Sequence, residues 1–373
     1  MSETSLIKVR LGGQDLPATA SWAEGLDIML PAQMAALIGN GTVDWHDSAV
    51  RSQTQASAVY LRERNAYLSR PPTSARLPVN YRSIPGPLRR AIGRGIGRLQ
   101  RYRQSQWASF PGWPVDLSAD AVADLGDVPF QRPARTPVLL THDIDSAEGL
   151  ANLVKWFFPI EEGHGARSAN YIVPCAWSID RGLTSEICKR GHEIGIHGYD
   201  HSNRTPFAPA AERHARLAAG AQVGAEFKTA GYRAPSLVRT KVMIEELASH
   251  YRYDSSIPTS GGLFPVPNNG CASARPWKIG TMWELPLSMP RDGSLQFLGY
   301  SPTRILSTWI KAAYLIASSG GIVCLLTHCE RGFSGNPPML KIYRDFIEII
   351  AADSRFEFLR PIDLVEHLDR QSA

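Results

Sequence analysis

The chain has 373 residues, of which 43% are hydrophobic and 20% are charged, and its formal net charge is +5. This composition is typical of a soluble globular protein, and the length allows one large α/β domain beside a smaller module. The basic surplus is small for such a length and gives no reason to expect a nucleic-acid partner. The five cysteines form no C-x-x-C pair, which predicts reduced thiols.

Two further features indicate where the protein resides. The chain begins MSETSLIKVR, without a basic segment followed by an apolar run, so we expect no secretory signal peptide. No stretch reaches the roughly 18 consecutive apolar residues of a membrane-spanning helix. With the reduced thiols, these features predict a cytoplasmic protein.

The first third of the chain has no recognisable chemistry. We divide it into residues 1–85, a region of unknown role, and residues 86–135, a basic and aromatic linker that packs on the following domain. Apolar residues at roughly helical spacing predict a helix over residues 28–38. A cluster of aromatic and proline residues at 107–114 is expected to dock on the main domain.

The linker contains an arginine-rich segment. Six arginines and no acidic residue lie between Arg89 and Arg103. On a helix, one face would carry the apolar residues Leu88, Ile92, Ile96 and Leu99. The segment could contact an anionic partner, such as a membrane surface or a glycolipid. The alternative, which we favour from sequence, is a solvated helix packed on the main domain.

From residue 136 onward, short apolar runs alternate with helix-length segments. Strands are predicted at 137–143, 168–174, 192–198, 283–289, 321–328 and 356–361. Helices are predicted at 146–158, 184–191, 210–227, 241–251, 302–318 and 343–353. This alternation implies a parallel sheet, and the number of units predicts a closed or nearly closed barrel over residues 136–373. In such barrels, function resides where the strands end.

The segment HGYDH places two histidines at the end of a predicted strand. His197 and His201 are four residues apart, and a turn there would let both imidazoles face one point. Neutral imidazole is a preferred ligand of Zn²⁺ and related ions. Two histidines at this spacing also occur as surface or capping pairs, so the pair alone does not define a metal site.

Paired carboxylates and a third histidine follow two other predicted strands. In THDID, Asp143 and Asp145 lie on one face if the strand is regular, so one could bind a metal while the other acts as a base. Alternatively, Asp145 or Ser146 could cap the next helix. His328 ends the strand in LLTHC; such a histidine is usually structural, but it ends its strand as Asp143 and His197 do.

Together these segments resemble the polysaccharide deacetylase (NodB-homology) family. The resemblance covers roughly residues 136–368 and follows the order of the family's five motifs. In that order, the matching segments are THDID, GHEIGIHGYDHS, GYRAPS, RYDSS and LLTHCE. The resemblance implies an α/β protein, a distorted (β/α) barrel of the polysaccharide deacetylase type with an N-terminal α-rich or irregular extension.

The resemblance also implies a role for each matching residue. One divalent metal, Zn²⁺ first and Co²⁺, Ni²⁺, Fe²⁺ or Mn²⁺ as alternatives, would be bound by Asp145, His197 and His201. The catalytic residues would be a base (Asp143), an arginine that orients it (Arg233), a general acid (His328) and a carboxylate that holds this acid (Asp254). Ile144 separates two aspartates that are usually adjacent in the family, so an exchange of their roles stays open. A backbone N–H near Ser236 would stabilise the oxyanion.

These roles predict a metal-dependent hydrolase that removes acetyl groups, foremost N-acetyl groups, from a sugar, glycan or glycolipid precursor. A cytoplasmic location favours a biosynthetic intermediate over an extracellular polymer. Two alternatives stay open: a hydrolase of a non-sugar cyclic amide, and a non-catalytic carbohydrate-binding module. The sequence predicts no oligomeric state.

Overall fold

The computed structural model describes residues 5–12, 16–34, 43–76, 84, 86–104, 115–260 and 270–372. Within these ranges the strands form a two-stranded sheet and a nine-stranded sheet. The two-stranded sheet consists of β1 (Leu6–Arg10) and β2 (Asp27–Pro31). The larger sheet consists of β3 (Thr136–Ile144), β4 (Ala169–Ile172), β5 (Glu193–Ile196), β6 (Gly231–Tyr232), β7 (Tyr253–Asp254), β8 (Trp277–Ile279), β9 (Met282–Glu284), β10 (Val323–His328) and β11 (Phe356–Phe358).

Helices flank both sheets. The N-terminal third contains α1 (Ser48–Arg64), α2 (Thr73–Arg76), α3 (Gly86–Gln104) and α4 (Ser118–Leu125). The rest contains α5 (Ala147–Asn152), α6 (Phe158–Glu162), α7 (Arg181–Lys189), α8 (Ala210–Ala225), α9 (Lys241–Leu247), α10 (Asp292–Phe297), α11 (Pro302–Ser319), α12 (Pro337–Ala351) and α13 (Pro361–Ser372). None of the helices in the described ranges combines the length and apolar character needed to cross a membrane.

The larger sheet curls into a distorted barrel. Its strand order is β10-β3-β4-β5-β6-β7-β9-β8, and β11 pairs with the beginning of β3. Neighbouring strands run parallel except in the β8–β9 hairpin. The segment after β9 joins the two ends of the curl: the N–H of Leu285 donates to the carbonyl of Asp254 (2.8 Å), and that of Met289 to the carbonyl of Cys324 (3.1 Å). The predicted fold class is confirmed.

Aromatic side chains fill the barrel interior, and glycines make room for them. A Cβ at Gly195 would lie 2.4 Å from the ring of Tyr171, and one at Gly231 would lie 2.0 Å from the ring of Tyr253. A side chain at either position would displace a buried ring, because protein interiors are close-packed. The glycine inside the strand HEIGIHG is thus explained by the ring on the neighbouring strand.

The helix predicted over residues 28–38 is wrong in its first part. Asp27–Pro31 form β2, which pairs antiparallel with β1 in the register Leu6↔Pro31. Ile28 and Leu30 are both buried, and this period of two is that of a strand. Residues 35–38 lie outside the described ranges, as does the aromatic cluster at 107–114.

The N-terminal region has its own apolar core. Buried residues of the first 61 positions pack with residues of α4; they include Leu11, Leu30, Trp45, Leu61, Val122 and Leu125. Because α4 follows the arginine-rich helix in sequence, the core of this region is completed from beyond residue 85. The division of the chain at residues 85 and 135 stays a prediction.

Helix α3 packs on α10 through its glycines. A Cβ at Gly93 would lie 2.9 Å from the ring of Phe297, and one at Gly97 would lie 1.9 Å from the carbonyl oxygen of the same residue. The apolar residues that share a face of α3 are exposed instead of packed: Leu88, Ile92, Ile96 and Leu99. The helix therefore contacts the barrel domain, but its apolar face takes no part in that contact.

This contact predicts opposite effects of two glycine-to-alanine substitutions. Gly97→Ala should push α3 away from α10, because the added methyl group would overlap the Phe297 carbonyl. Gly95→Ala should instead stabilise α3 by up to about 1 kcal/mol, because alanine favours helices and no atom lies within 4 Å of its Cβ position. Hydrogen exchange of α3 amides should be faster than wild type in Gly97→Ala and slower in Gly95→Ala. Equal protection in both variants would contradict the packing.

Candidate active site

The candidate residues lie at the carboxyl ends of the parallel strands. Asp143 is the penultimate residue of β3, and Asp145 follows that strand. His197 and Arg233 come directly after β5 and β6, and His328 is the last residue of β10. The β3–β10 register pairs His328 with Asp143. Parallel strands bring their carboxyl ends to one edge, and this places side chains that are distant in sequence around one point.

Asp145, His197 and His201 form a cluster of metal-ligand type. Their ligand atoms all lie within 4.8 Å of one another. Oδ1 of Asp145 lies 3.3 Å from Nε2 of His201 and 3.7 Å from Nε2 of His197. Asp143 also reaches this point, since its Oδ2 lies 3.4 Å from Nε2 of His197. Both aspartates of THDID therefore face the same site, although Ile144 stands between them.

The backbone holds the two imidazoles in place. Nδ1 of His197 lies 3.0 Å from the carbonyl oxygen of Arg233. If Nδ1 carries the proton and donates it to this carbonyl, Nε2 keeps its lone pair for a metal. His201 has a left-handed backbone (φ 59°), as does Asn203 (φ 64°). Non-glycine residues adopt this conformation infrequently and often at functional sites, where the surrounding structure enforces it.

The donor set fits a divalent transition metal. Two imidazole nitrogens and one carboxylate oxygen are a common protein ligand set for catalytic zinc, with a position open for water. A tetrahedral ion with bonds of about 2.0–2.1 Å separates its ligand atoms by roughly 3.4 Å. The separations of 3.3 and 3.7 Å from Asp145 to the two histidines are close to that value.

Arg233 binds Asp143 inside the barrel. Its Nη1 donates to Oδ1 of Asp143 (3.1 Å) and to Oγ1 of Thr141 (2.9 Å), while its Nε donates to the carbonyl of Ser255 (3.0 Å). Burial disfavours the guanidinium cation, but the Asp143 carboxylate outweighs burial and raises the pKa of Arg233. A charge-assisted hydrogen bond of this kind orients the carboxylate. One Asp143 oxygen thus faces Arg233 while the other faces His197.

His328 is held by Asp292. Its Nδ1 lies 2.8 Å from Oδ1 of Asp292, and its backbone N–H donates to Oδ2 of the same carboxylate (2.8 Å). Ser334 Oγ also donates to Asp292 Oδ2 (2.7 Å). Burial of the imidazole works against its cationic form, but the Asp292 carboxylate outweighs burial and raises the pKa of His328 to about 10. The Asp292 carboxylate therefore favours the protonated form of His328.

The prediction that Asp254 holds His328 is wrong. Asp254 accepts hydrogen bonds from the backbone and hydroxyl of Ser256 (3.1 and 2.6 Å) and is paired in register with Glu284. Burial and the neighbouring Asp254 carboxylate raise the pKa of Glu284 well above its usual range. The physical reason is strand order: β9 and the segment after it lie between β7 and β10, whereas α10 begins beside the end of β10.

The sequence interpretation missed two acidic residues. Asp292 is the first residue of a short helix and lies in the segment PRDG, soon after a predicted strand. This position was the only feature of the sequence that could have pointed to a role in the site. Glu330 follows the strand-end His328 by two residues; its Oε1 accepts from the backbone N–H of Asp145 (3.1 Å) and from Ser146 Oγ (2.8 Å). Burial and the Asp145 charge raise the pKa of Glu330 to about 7. Glu330 fixes the backbone that carries the candidate ligand Asp145.

A strained turn borders the site where an oxyanion donor was expected. Ser236 and Leu237 have left-handed backbones (φ 51° and 57°) in the turn Pro235–Leu237 that follows Arg233. Asn203 Nδ2 donates to Ser236 Oγ (3.2 Å) and to Ser74 Oγ (3.1 Å). The N-terminal region therefore reaches this rim, and the turn is tied to the loop that carries His201.

A curled parallel sheet with a two-histidine, one-aspartate cluster at its strand ends defines a barrel of the polysaccharide deacetylase type. The chain is similar in structure to a Mycobacterium smegmatis protein assigned to the polysaccharide deacetylases, with 20% identity and a TM-score of 0.51 over 65% of this chain and 94% of that chain. It is also similar to the allantoinase PuuE, with 13% identity and a TM-score of 0.52 over 64% of this chain and 94% of that chain. A Pseudomonas aeruginosa protein assigned to the polysaccharide deacetylases is similar with 13% identity and a TM-score of 0.50, over 69% of this chain and 98% of that chain.

The resemblance that the five motifs indicated is thus confirmed for the fold. No protein-family model matches the sequence, and no curated protein matches it. Identities of 13–20% define a shared fold and do not transfer an activity. The function has to be argued from the site.

The Asp292–His328 pair predicts a measurable change in proton affinity. Asp292→Asn removes the negative charge that stabilises the imidazolium, so the pKa of His328 should fall from about 10 toward the ordinary value near 6.5. Histidine-selective NMR titration of the full chain measures this shift. Asp254→Asn is the matched control and should leave the titration of His328 unchanged. A larger shift in Asp254→Asn than in Asp292→Asn would contradict the assignment.

Proposed function

We propose that the protein is a metal-dependent deacetylase that hydrolyses an N-acetyl group on a sugar, glycan or glycolipid precursor. The observation that carries this proposal is the placement of two acid–base groups around the ligand cluster. Asp143 is held by Arg233 and adjoins His197. His328 is held by Asp292 and is paired with Asp143 in the register of β3 and β10. Amide hydrolysis needs these elements: a base for water, an acid for the amine and an electrophile for the carbonyl.

We assign the metal to Asp145, His197 and His201. A divalent ion there would polarise the acetyl carbonyl and lower the pKa of water. The nitrogen-rich donor set favours Zn²⁺, with Co²⁺, Ni²⁺, Fe²⁺ and Mn²⁺ as alternatives. Glu330 supports this assignment, because it fixes the backbone of Asp145 and not that of Asp143.

Asp143 is the proposed general base. Its Oδ1 is engaged by Arg233, while its Oδ2 faces the metal ligands and can receive a proton from water there. In the alternative, Asp145 is the base and Asp143 the ligand. Asp143 would then bind the metal through Oδ2 while Oδ1 stays on Arg233, and the positive charge of Arg233 would weaken this carboxylate as a metal ligand. This favours the division of roles proposed here.

His328 is the proposed general acid. Departure of an amine from a tetrahedral intermediate requires a proton, and the Asp292 carboxylate favours the protonated form of His328. A backbone N–H near Ser236, in the strained turn, is the proposed donor to the oxyanion, in addition to the metal. We also propose a reducing compartment such as the cytoplasm, since all five cysteines are free thiols in the structure.

Assays on a panel of substrates also test two other functions. A cyclic amide could be hydrolysed by the same groups, and the allantoinase of similar fold makes such a compound a necessary member of the substrate panel. A non-catalytic carbohydrate-binding module would need neither the Asp143–Arg233 pair nor the Asp292–His328 pair. Acetate release by wild type from acetylated sugars, abolished by a chelator and restored by Zn²⁺, supports the deacetylase.

His328→Ala should distinguish catalysis from structure. An amine is a poor leaving group that needs a proton, whereas a nitrophenolate needs little help. The variant should therefore lose about 10²–10⁴-fold in kcat/KM on an N-acetyl sugar and much less on an activated acetyl ester. The experiment measures both substrates and the melting temperature in one protein preparation.

One variant controls for unspecific effects of removing a histidine, and two results would contradict the proposal. His214→Ala, at an exposed histidine paired with Glu246, should leave both rates unchanged. Equal loss on both substrates in an early-melting His328→Ala variant would remove His328 from the mechanism. Hydrolysis of a cyclic amide without acetate release from any sugar would replace the proposed substrate class.

A further inference from the structure

Helix α3 directs its large apolar side chains away from the protein. Leu88 and Leu99 are each 53% exposed, Ile92 is 50% exposed and Ile96 is 42% exposed. At 3.6 residues per turn these four positions share one face and form a continuous line, which we call the apolar ridge. An exposed line of four large aliphatic residues on one helix is unusual for a protein surface and indicates a binding surface.

The contact between α3 and the protein does not use this ridge. Gly93 and Gly97 lie on another side of the helix, against Phe297 of α10. An amphipathic helix of a soluble domain normally turns its apolar stripe toward the core. Here glycines face the core and isoleucines and leucines face away, so packing among the residues that the structure describes does not account for the ridge.

The charge on α3 has a single sign. The sequence of Gly86–Gln104 contains six arginines and no aspartate or glutamate. Arg94 and Arg98 are exposed, and at 3.6 residues per turn they lie on a different face of the helix from the ridge. A second copy of the chain seated on the ridge would bring two such helices together with no acidic partner on either, and the like charges would repel. An anionic surface with an apolar interior complements both the arginines and the ridge.

We propose that α3 docks the protein on the surface of an anionic lipid bilayer. The helix lies in the plane of the interface, with the ridge among the upper acyl chains and the arginines on the lipid phosphates. This is peripheral attachment, because the helix is not long and apolar enough to cross the membrane. The glycine face anchors the docked helix to the barrel domain through Phe297.

The docking helix is connected to the acid side of the site by a short aromatic path. Phe297 meets Phe333 edge to face (ring centroids 6.1 Å apart), and Phe333 packs on His328 (4.7 Å). Docking would thus hold His328 near the bilayer. If the proposed function is correct, on which this step rests, a glycolipid is the favoured member of the proposed substrate class.

Flotation of the full-length protein with vesicles tests the proposal. Binding to vesicles that contain about a third anionic lipid should exceed binding to purely zwitterionic vesicles and should fall as salt is raised. Ile92→Gln with Ile96→Gln should weaken binding at least about tenfold, because two side chains lose their burial in lipid. Arg94→Gln with Arg98→Gln should also weaken it, by up to about fivefold per arginine, because each change removes a charge that attracts the helix to the anionic surface.

Matched variants control for general surface effects. Val242→Gln with Ile349→Gln removes two other exposed apolar residues, and Lys311→Gln with Arg344→Gln removes two other exposed cations. Both control proteins should bind as wild type does. His328→Ala should also bind normally, so failure of the deacetylase proposal and failure of the docking proposal can be told apart.

Three results would overturn the proposal. The first is equal binding of wild type to anionic and zwitterionic vesicles, and the second is equal loss of binding in the test and control variants. The third is a dimer in light scattering that Ile92→Gln with Ile96→Gln converts to a monomer without any change in vesicle binding. This third result would assign the ridge to another copy of the chain.

Discussion

The site depends on one buried cation. The guanidinium of Arg233 lies inside the barrel, over the ring of Tyr171 (4.1 Å), and binds Asp143 and Ser255. The carbonyl of the same residue lies 3.0 Å from the ring nitrogen Nδ1 of His197. A buried charge is tolerated only with full pairing, so these contacts must form together. Arg233 therefore sets the relative positions of the proposed base, a proposed metal ligand and the strands that carry them.

Much of the fold could be predicted from hydrophobic patterning. In the C-terminal part, runs such as 137–143 and 321–328 correspond to buried parallel strands, because apolar runs of that length between helices admit few other structures. The β8–β9 hairpin was not foreseen, since its strands have three residues each and little periodicity. At β2, four of the five strand residues lay inside a longer stretch of roughly helical spacing, and pairing with β1 decided the outcome.

The site could be predicted where local spacing determines it. Asp143 and Asp145 share a face by strand geometry, and His197 and His201 are joined by a short turn, so the sequence alone predicts that the members of each pair lie close together. Asp254 and Asp292 could not be distinguished, because each is a single acid near a strand end. The choice depends on which strands are neighbours after the sheet curls, and that is a long-range property. The motif order favoured Asp254, and the strand order favours Asp292.

The central claim is that Asp145, and not Asp143, completes the metal site while Asp143 stays bound to Arg233. Anomalous diffraction at the zinc edge, from crystals of the full chain grown with Zn²⁺, measures this directly. We expect one ion bonded to Nε2 of His197, Nε2 of His201 and an oxygen of Asp145, with Asp143 within hydrogen-bond distance of Arg233. An ion bonded to Asp143 in place of Asp145, or an ion elsewhere with this cluster empty, would contradict the account.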